Sequence, residues 1–122
     1  MSEAKRLLVI DDEPDFAALV VTVATRLGYA ASAAANPRAF RQAVIAAPDV
    51  IVLDIVMPEQ DGVELIQWLD AINCTARVVI VTGFNPAYAE SARRLAEIRG
   101  RLQVSVIHKP VKLDDLRAAI AH

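Results

Sequence analysis

Three aspartates, one threonine and one lysine stand where short apolar runs stop. Asp11 and Asp12 follow Leu7-Leu8-Val9-Ile10, and Asp54 follows Val50-Ile51-Val52-Leu53. Thr82 ends Val78-Val79-Ile80-Val81, and Lys109 comes just after Val104-Ser105-Val106-Ile107. Three carboxylates brought to one place repel one another and raise at least one pKa, and a divalent cation relieves that cost. All-oxygen donors favour a hard ion, and two or three carboxylates suit Mg2+, which keeps several waters. An aspartate beside such an ion is poised to take a phosphoryl group, since aspartyl phosphate is a known covalent intermediate. Positioning and charge neutralisation do most of the catalysis in such transfers. Lys109 would supply a compact cation, the Thr82 hydroxyl a donor to a phosphate oxygen, and Gly83 room for that group. Taken singly, each residue has a plainer reading. Asp12 before Pro14 reads as a helix cap, Asp54 and Gly83 as turn residues, Thr82 as a strand former and Lys109 as a solvated charge. His108, alternating with Ile107 and Lys109, reads as a partly exposed strand-end residue rather than a metal ligand.

The elements must decide between these readings. Continuous four-residue apolar runs are the signature of strands covered on both faces, and Tyr29 to Ala34 adds a weaker one. Between them the period changes. Phe16, Leu19/Val20, Val23 and Leu27 recur at helical spacing, with Asp11-Asp12-Glu13-Pro14 as a start and Gly28 as a stop. Asn36-Pro37 opens a second helix through about Ala46, and Val63, Leu65/Ile66, Leu69 and Ile72 mark a third. Asn85-Pro86 opens a fourth that reaches Arg99 before Gly100, and Leu113, Leu116 and Ile120 mark a fifth. Ala17, Val21 and Ala24 lie beside the stripe of the first helix, as an apolar docking patch or as scattered small surface residues. Five strands alternating with five helices imply an α/β fold, a parallel sheet with right-handed crossovers. At this length the expectation is a flavodoxin-like (βα)5 doubly wound sandwich with strand order 2-1-3-4-5. That topology puts its crevice at the carboxyl ends of strands one and three, and so gathers all five polar residues.

Composition narrows the function classes. With 122 residues, 55% of them hydrophobic, the chain is the size of one domain spanning 1–122. Thirteen basic against fifteen acidic residues give a net charge of −2, and no basic tract is present, so direct nucleic-acid binding is not expected. The longest apolar stretch, Phe16 to Ala24, is interrupted by Thr22 and far too short to cross a membrane. The start Met1-Ser2-Glu3-Ala4-Lys5 is polar and unlike a signal peptide. Cys74 is the single cysteine, which excludes an internal disulfide and a cysteine-based zinc site. A reducing, cytoplasmic setting is expected. A flavin carrier would need a hydroxyl- and glycine-rich loop after strand one, where Asp11-Asp12-Glu13 would repel the phosphate. A phosphohydrolase with an aspartate nucleophile would place it after strand one and need a cap of its own.

Four motifs in order carry a resemblance along essentially the whole chain. They are Val9-Ile10-Asp11-Asp12-Glu13-Pro14, Leu53-Asp54-Ile55-Val56-Met57-Pro58-Glu59-Gln60-Asp61-Gly62, Val81-Thr82-Gly83 and His108-Lys109-Pro110. Together they resemble the receiver domain of two-component response regulators. The resemblance implies that Asp54 is the phosphoacceptor, modified from a phosphohistidine of a histidine kinase or a histidine phosphotransfer protein. It implies Mg2+ held by Asp11, Asp12, Asp54 and the Val56 backbone carbonyl. Thr82, Gly83 and Lys109 fall at the phosphate-binding and switch positions, with a cis peptide bond before Pro110. A receiver supplies groups for its own modification and is not a turnover enzyme; a homodimer or a downstream effector would read its state.

Two departures mark this chain. Val106 stands three residues before Lys109, where the family usually has an aromatic switch residue, so signalling through a swinging ring is not expected. Thr82 and Lys109 are 27 positions apart, more than in compact members, which implies a lengthened fourth helix and following loop. That length is faintly similar to receivers attached to cyclic-di-GMP phosphodiesterase domains. The alternatives are therefore a phosphorylation-independent binding module and an N-terminal receiver fragment of a larger regulator. Val56 and Phe84 flank the site at positions that tune dephosphorylation in the family. Both are apolar, so slow self-hydrolysis is expected, over minutes to hours.

Overall fold

The alternation of side chains along each strand sorts the apolar residues into two layers. In the computed structural model of the chain, which describes residues 4–55, 62–83, 86–99 and 102–121, the elements run β1 (Arg6–Ile10), α1 (Pro14–Arg26), β2 (Ala30–Ala34), α2 (Pro37–Val44), β3 (Val50–Asp54), α3 (Gly62–Ala71), β4 (Arg77–Thr82), α4 (Pro86–Arg99), β5 (Gln103–His108) and α5 (Leu113–Ala121). The strands form one parallel sheet in the order β2-β1-β3-β4-β5, as the alternating periods require. Leu8, Ile10, Ile51, Leu53, Val78 and Ile80 are buried on one face with Phe40 of α2, Leu65, Ile66 and Leu69 of α3, and Ala92 of α4. Leu7, Val9, Val50, Val52, Val79 and Val81 are buried on the other with Val20 and Val23 of α1 and Leu116 and Ile120 of α5. The β3 strand sits between β1 and β4 and is buried along its whole length.

Helix starts follow local chemistry. Asn36 caps α2, its side chain accepting from the Ala39 N–H at 2.8 Å, with Pro37 in the first turn. Glu13 caps α1 without a side-chain cap bond. The carboxylate that serves this turn is Asp11, whose Oδ1 accepts from the Glu13 N–H at 2.8 Å, so Asp12 is not the cap. Gly28 follows α1 at φ 97°, the left-handed conformation that glycine takes without strain.

The core face of α1 differs from the expected stripe. Ala17, Val20, Val23 and Ala24 are buried, and Val21 is half-buried against the same cluster, whereas Leu19 and Leu27 are 39% and 40% exposed. The small residues Ala17 and Ala24 therefore pack the helix onto the sheet, and they form no docking patch. Of the stripe of larger side chains, Val20 and Val23 face the sheet, whereas Leu19 and Leu27 turn outward.

The lower end of the sheet is tied by polar groups. Asp49 receives the Arg6 N–H on Oδ2 at 2.8 Å, donates its own N–H to the Arg6 carbonyl at 2.8 Å and accepts from the Arg77 N–H at 2.9 Å. This sets the relative register of β1, β3 and β4. The Arg77 guanidinium then reaches the end of α5, donating to the carbonyls of Ala119 (2.5 Å) and Ile120 (2.6 Å). The Tyr29 hydroxyl donates to Ile120 as well, at 2.8 Å. Carbonyls in the last helical turn lack intrahelical partners, and a cation there is favoured by the helix dipole. Charge-assisted bonds of this kind contribute about 1.5–3 kcal/mol. Arg77→Met, which keeps the aliphatic stem, should lower stability by about 2 kcal/mol, read as a fall in the urea midpoint; an unchanged midpoint would show the clamp to be idle.

Candidate functional site

Register brings the acidic residues together. Ile10 pairs with Leu53, so the residues that follow, Asp11 and Asp54, lie side by side at the carboxyl end of the sheet. Both are buried, at 6% exposure each, while Asp12 is exposed. One carboxylate oxygen from each of Asp11, Asp12 and Asp54 can be chosen so that all three lie within 4.8 Å of one another. The donors are oxygens and one member faces solvent, so the set fits a hard divalent cation that keeps part of its water shell. Burial pushes the Asp11 carboxyl above its usual pKa, against the Glu13 N–H bond and the Lys109 charge, which pull it down. A nearby cation would relieve that strain.

Lys109 arrives from the far edge. The peptide bond between Lys109 and Pro110 is cis, and the Lys109 N–H donates to the Thr82 carbonyl at 2.9 Å. The ammonium stands 3.2 Å from Asp11 Oδ2 and 2.6 Å from Glu13 Oε1, and 4.9 Å from the centre of the Phe16 ring. Burial alone would lower its pKa. The Glu13 hydrogen bond, the Asp11 contacts and the charge of Asp54 outweigh burial and hold it above the usual lysine value. Lys109 thus keeps its positive charge in contact with Asp11 and Glu13 and near Asp54, and it belongs to the site rather than to solvent.

Thr82 ends β4 opposite His108, and His108 is exposed, as its strand-end position implied. The Thr82 side chain is buried, and its Oγ1 has no hydrogen-bond partner among the described residues. A buried hydroxyl without a partner forgoes about 1–3 kcal/mol, and such a group calls for a water, an ion or a ligand to complete it. Gly83 is exposed; a Cβ there would meet the Lys109 Cβ at 3.3 Å, so a larger residue would press on the lysine stem. Val56 and Phe84 lie outside the described residues. Val106 is half-buried and packs against the cluster beneath α2, α3 and α4. The α4 helix, with 14 residues, is the longest of the five.

Three contributors were not singled out in the sequence. Glu13 passed as part of a helix start, yet its side chain faces Lys109. Phe16 fell on a helical stripe, yet its ring lies under the ammonium. Gly62 closes the motif that begins at Leu53. A Cβ there would sit 2.6 Å from the Ile55 Cα, 2.7 Å from its carbonyl oxygen and 2.8 Å from that of Asp54. The Gly62 N–H also donates to the Ile55 carbonyl at 2.9 Å, which returns the chain to the end of β3. The spacing of Gly62 eight residues after Asp54 was the available signal.

Comparison with known proteins bears on the family and the fold. The family model of the response regulator receiver domain matches residues 7–121. The regulatory protein AtoC of Escherichia coli is 30% identical over 121 residues, covering 98% of this chain and 25% of AtoC. The chain thus spans a quarter of that relative's length. The sporulation initiation phosphotransferase F of Bacillus subtilis is 28% identical over 117 residues, covering 95% of this chain and 90% of that protein. Among solved structures, a response regulator from Colwellia psychrerythraea superposes with a TM-score of 0.83 at 26% identity, covering 97% of this chain and 94% of that one.

The contacts at Gly62 are with backbone, which cannot swing aside. Overpacking of this kind costs about 1–3 kcal/mol, so Gly62→Ala should lower the thermal midpoint and displace the end of β3. A variant as stable as the parent would show that the loop accommodates a methyl group.

Proposed function

The chain belongs to the response regulator receiver domain family, and from that membership we propose that it takes a phosphoryl group onto Asp54. The observation that carries this reading is the buried Thr82 hydroxyl, without a partner among the described residues, set beside a buried aspartate and a charged lysine. A phosphoryl group on Asp54 would supply the acceptor that Thr82 Oγ1 needs and an anion for Lys109.

The donor in this reading is a phosphohistidine of a histidine kinase or histidine phosphotransfer protein. An Asp54 oxygen attacks phosphorus in line as the N–P bond breaks. The donor imidazole keeps the electron pair of that bond and is protonated from solvent. Asp11 and Asp12, with Asp54, would hold Mg2+. When bound, that ion neutralises charge on the transferring oxygens and orients them. Lys109 offsets the charge on a second side as a compact cation. Thr82 donates a hydrogen bond from the end of β4, and the Asp11 Oδ1 bond to the Glu13 N–H keeps the Asp11 carboxylate aimed inward. The chain supplies groups for its own modification, and we take it as a signalling module rather than a turnover enzyme. A downstream effector or a second copy would read the modified form. We place it in the cytoplasm, where such donors act; no helix among the described residues is long and apolar enough to cross a membrane.

The alternative of a phosphorylation-independent binding module rests on Val106. Intact-mass measurement separates the two. With Mg2+ and acetyl phosphate the chain should gain one phosphoryl increment that is absent in Asp54→Ala and absent when the metal is chelated. Thr82→Val should slow the gain about tenfold, in line with the loss of one hydrogen bond to a charged group. A chain that never gains mass, or an Asp54→Ala variant that gains it equally, rejects phosphoacceptance at Asp54.

The adduct should also be long-lived. Val56 and Phe84 carry no group that could orient an attacking water, so the mass increment should fade over minutes to hours after donor removal. Loss within seconds would contradict that expectation.

A further inference from the structure

The Glu13 side chain does not cap the helix it precedes. The residue's backbone is extended (φ −97°, ψ 105°) at the cap position of α1. Its N–H is taken by Asp11 Oδ1 at 2.8 Å, which pins the residue at the mouth of the acidic site. From there Oε1 reaches the Lys109 Nζ at 2.6 Å, closer than Asp11 Oδ2 at 3.2 Å. The Phe16 ring, 4.9 Å from the same nitrogen, gives the ammonium a third neighbour on α1. The Lys109 side chain is 19% exposed and that of Glu13 is 62% exposed, so Glu13 holds the lysine from the solvent side.

An ammonium has three donors and no means of donating the same proton fully to two anions. A phosphoryl group on Asp54 would draw Lys109 toward itself, and the Glu13 contact is the outermost of those it now makes. We propose that Glu13 is a positioning residue that acts through Lys109, competing with the phosphoryl group for the ammonium and so setting how readily Asp54 is modified. This rests on the phosphoacceptor reading above and adds to it a residue with no expected contact with the phosphate. It would make the first turn of α1 a brake on modification, with Lys109 as the part that moves.

Glu13→Gln keeps the shape and the Asp11 bond to the backbone while removing the charge. At saturating Mg2+, this variant should gain the phosphoryl increment from acetyl phosphate about two- to fivefold faster than the parent, the range for a partly exposed ion pair. It should bind beryllofluoride, a mimic of the phosphoryl group, more tightly by a similar factor. The discriminating measurement is the same substitution in a Lys109→Met background. If Glu13 acts through Lys109, the rate ratio there falls to one. An equal acceleration with and without Lys109 overturns the proposal, because it would show only a general reduction of negative charge at the site. An unchanged or slower Glu13→Gln also overturns it, provided the parent still gains an Asp54-dependent increment. A parent that gains none rejects phosphoacceptance itself, and the proposal with it. Thermal midpoints of all four proteins show whether any rate change reflects folding.

Discussion

Two aspartates buried at the ends of neighbouring strands, with one lysine to answer them, set the terms for the rest of the molecule. Each carboxylate is 6% exposed, and taking an ion out of water carries a penalty of several kcal/mol when it is poorly compensated. Lys109 compensates in part, since Asp11 still sits above its ordinary pKa because of burial. The site is thus held under electrostatic strain by a scaffold that gains elsewhere. That gain comes from the two apolar layers. Strands β1, β3 and β4 bury nearly every side chain, and short of Asp54 and Thr82 at their carboxyl ends the residues they bury are aliphatic. A cluster of acids at the end of such strands is tolerated because the strands beneath it have no polar group to satisfy.

Polarity is divided between the two ends of the sheet. At the lower end the side chains of Asp49, Arg77 and Tyr29 bond to backbone groups of Arg6, Ala119 and Ile120. Those bonds are structural. At the upper end the Thr82 hydroxyl is left without a partner among the described residues, and three carboxylates share a small volume. The same residue types thus serve two purposes, told apart by whether their hydrogen-bonding capacity is used up.

The fold was legible because its signals were redundant. Four apolar runs, two Asn-Pro helix starts and the glycine after α1 all pointed to the same topology, and the polar residues at strand ends followed from it. The site was legible at Asp11, Asp12, Asp54, Thr82 and Lys109 for the same reason. What escaped depended on side-chain direction. Alanines 17 and 24 face the core of α1, yet volume-weighted periodicity favoured Leu19 and Leu27, which are partly exposed. Glu13 and Phe16 reach Lys109 across 96 and 93 residues of sequence, a relation no local spacing encodes. Gly62 mattered through a backbone approach that appears only when β3 and α3 are both in place.

Val106 removes the swinging ring that a receiver of the usual pattern would use, yet the strand ends are still linked. The Ile55 N–H donates to Val81 at 3.1 Å, and the Lys109 N–H donates to Thr82 at 2.9 Å. A chain of backbone bonds therefore runs from the residue after Asp54, across the end of β4, to the residue after β5. A movement of the Thr82 peptide would be felt at the Lys109 amide that donates to it. The lysine then receives two influences at once, one on its ammonium from the carboxylates and one on its backbone from Thr82. With Val106 in place of an aromatic residue, Lys109 is a residue on which contacts from the acidic site and from the end of β4 converge.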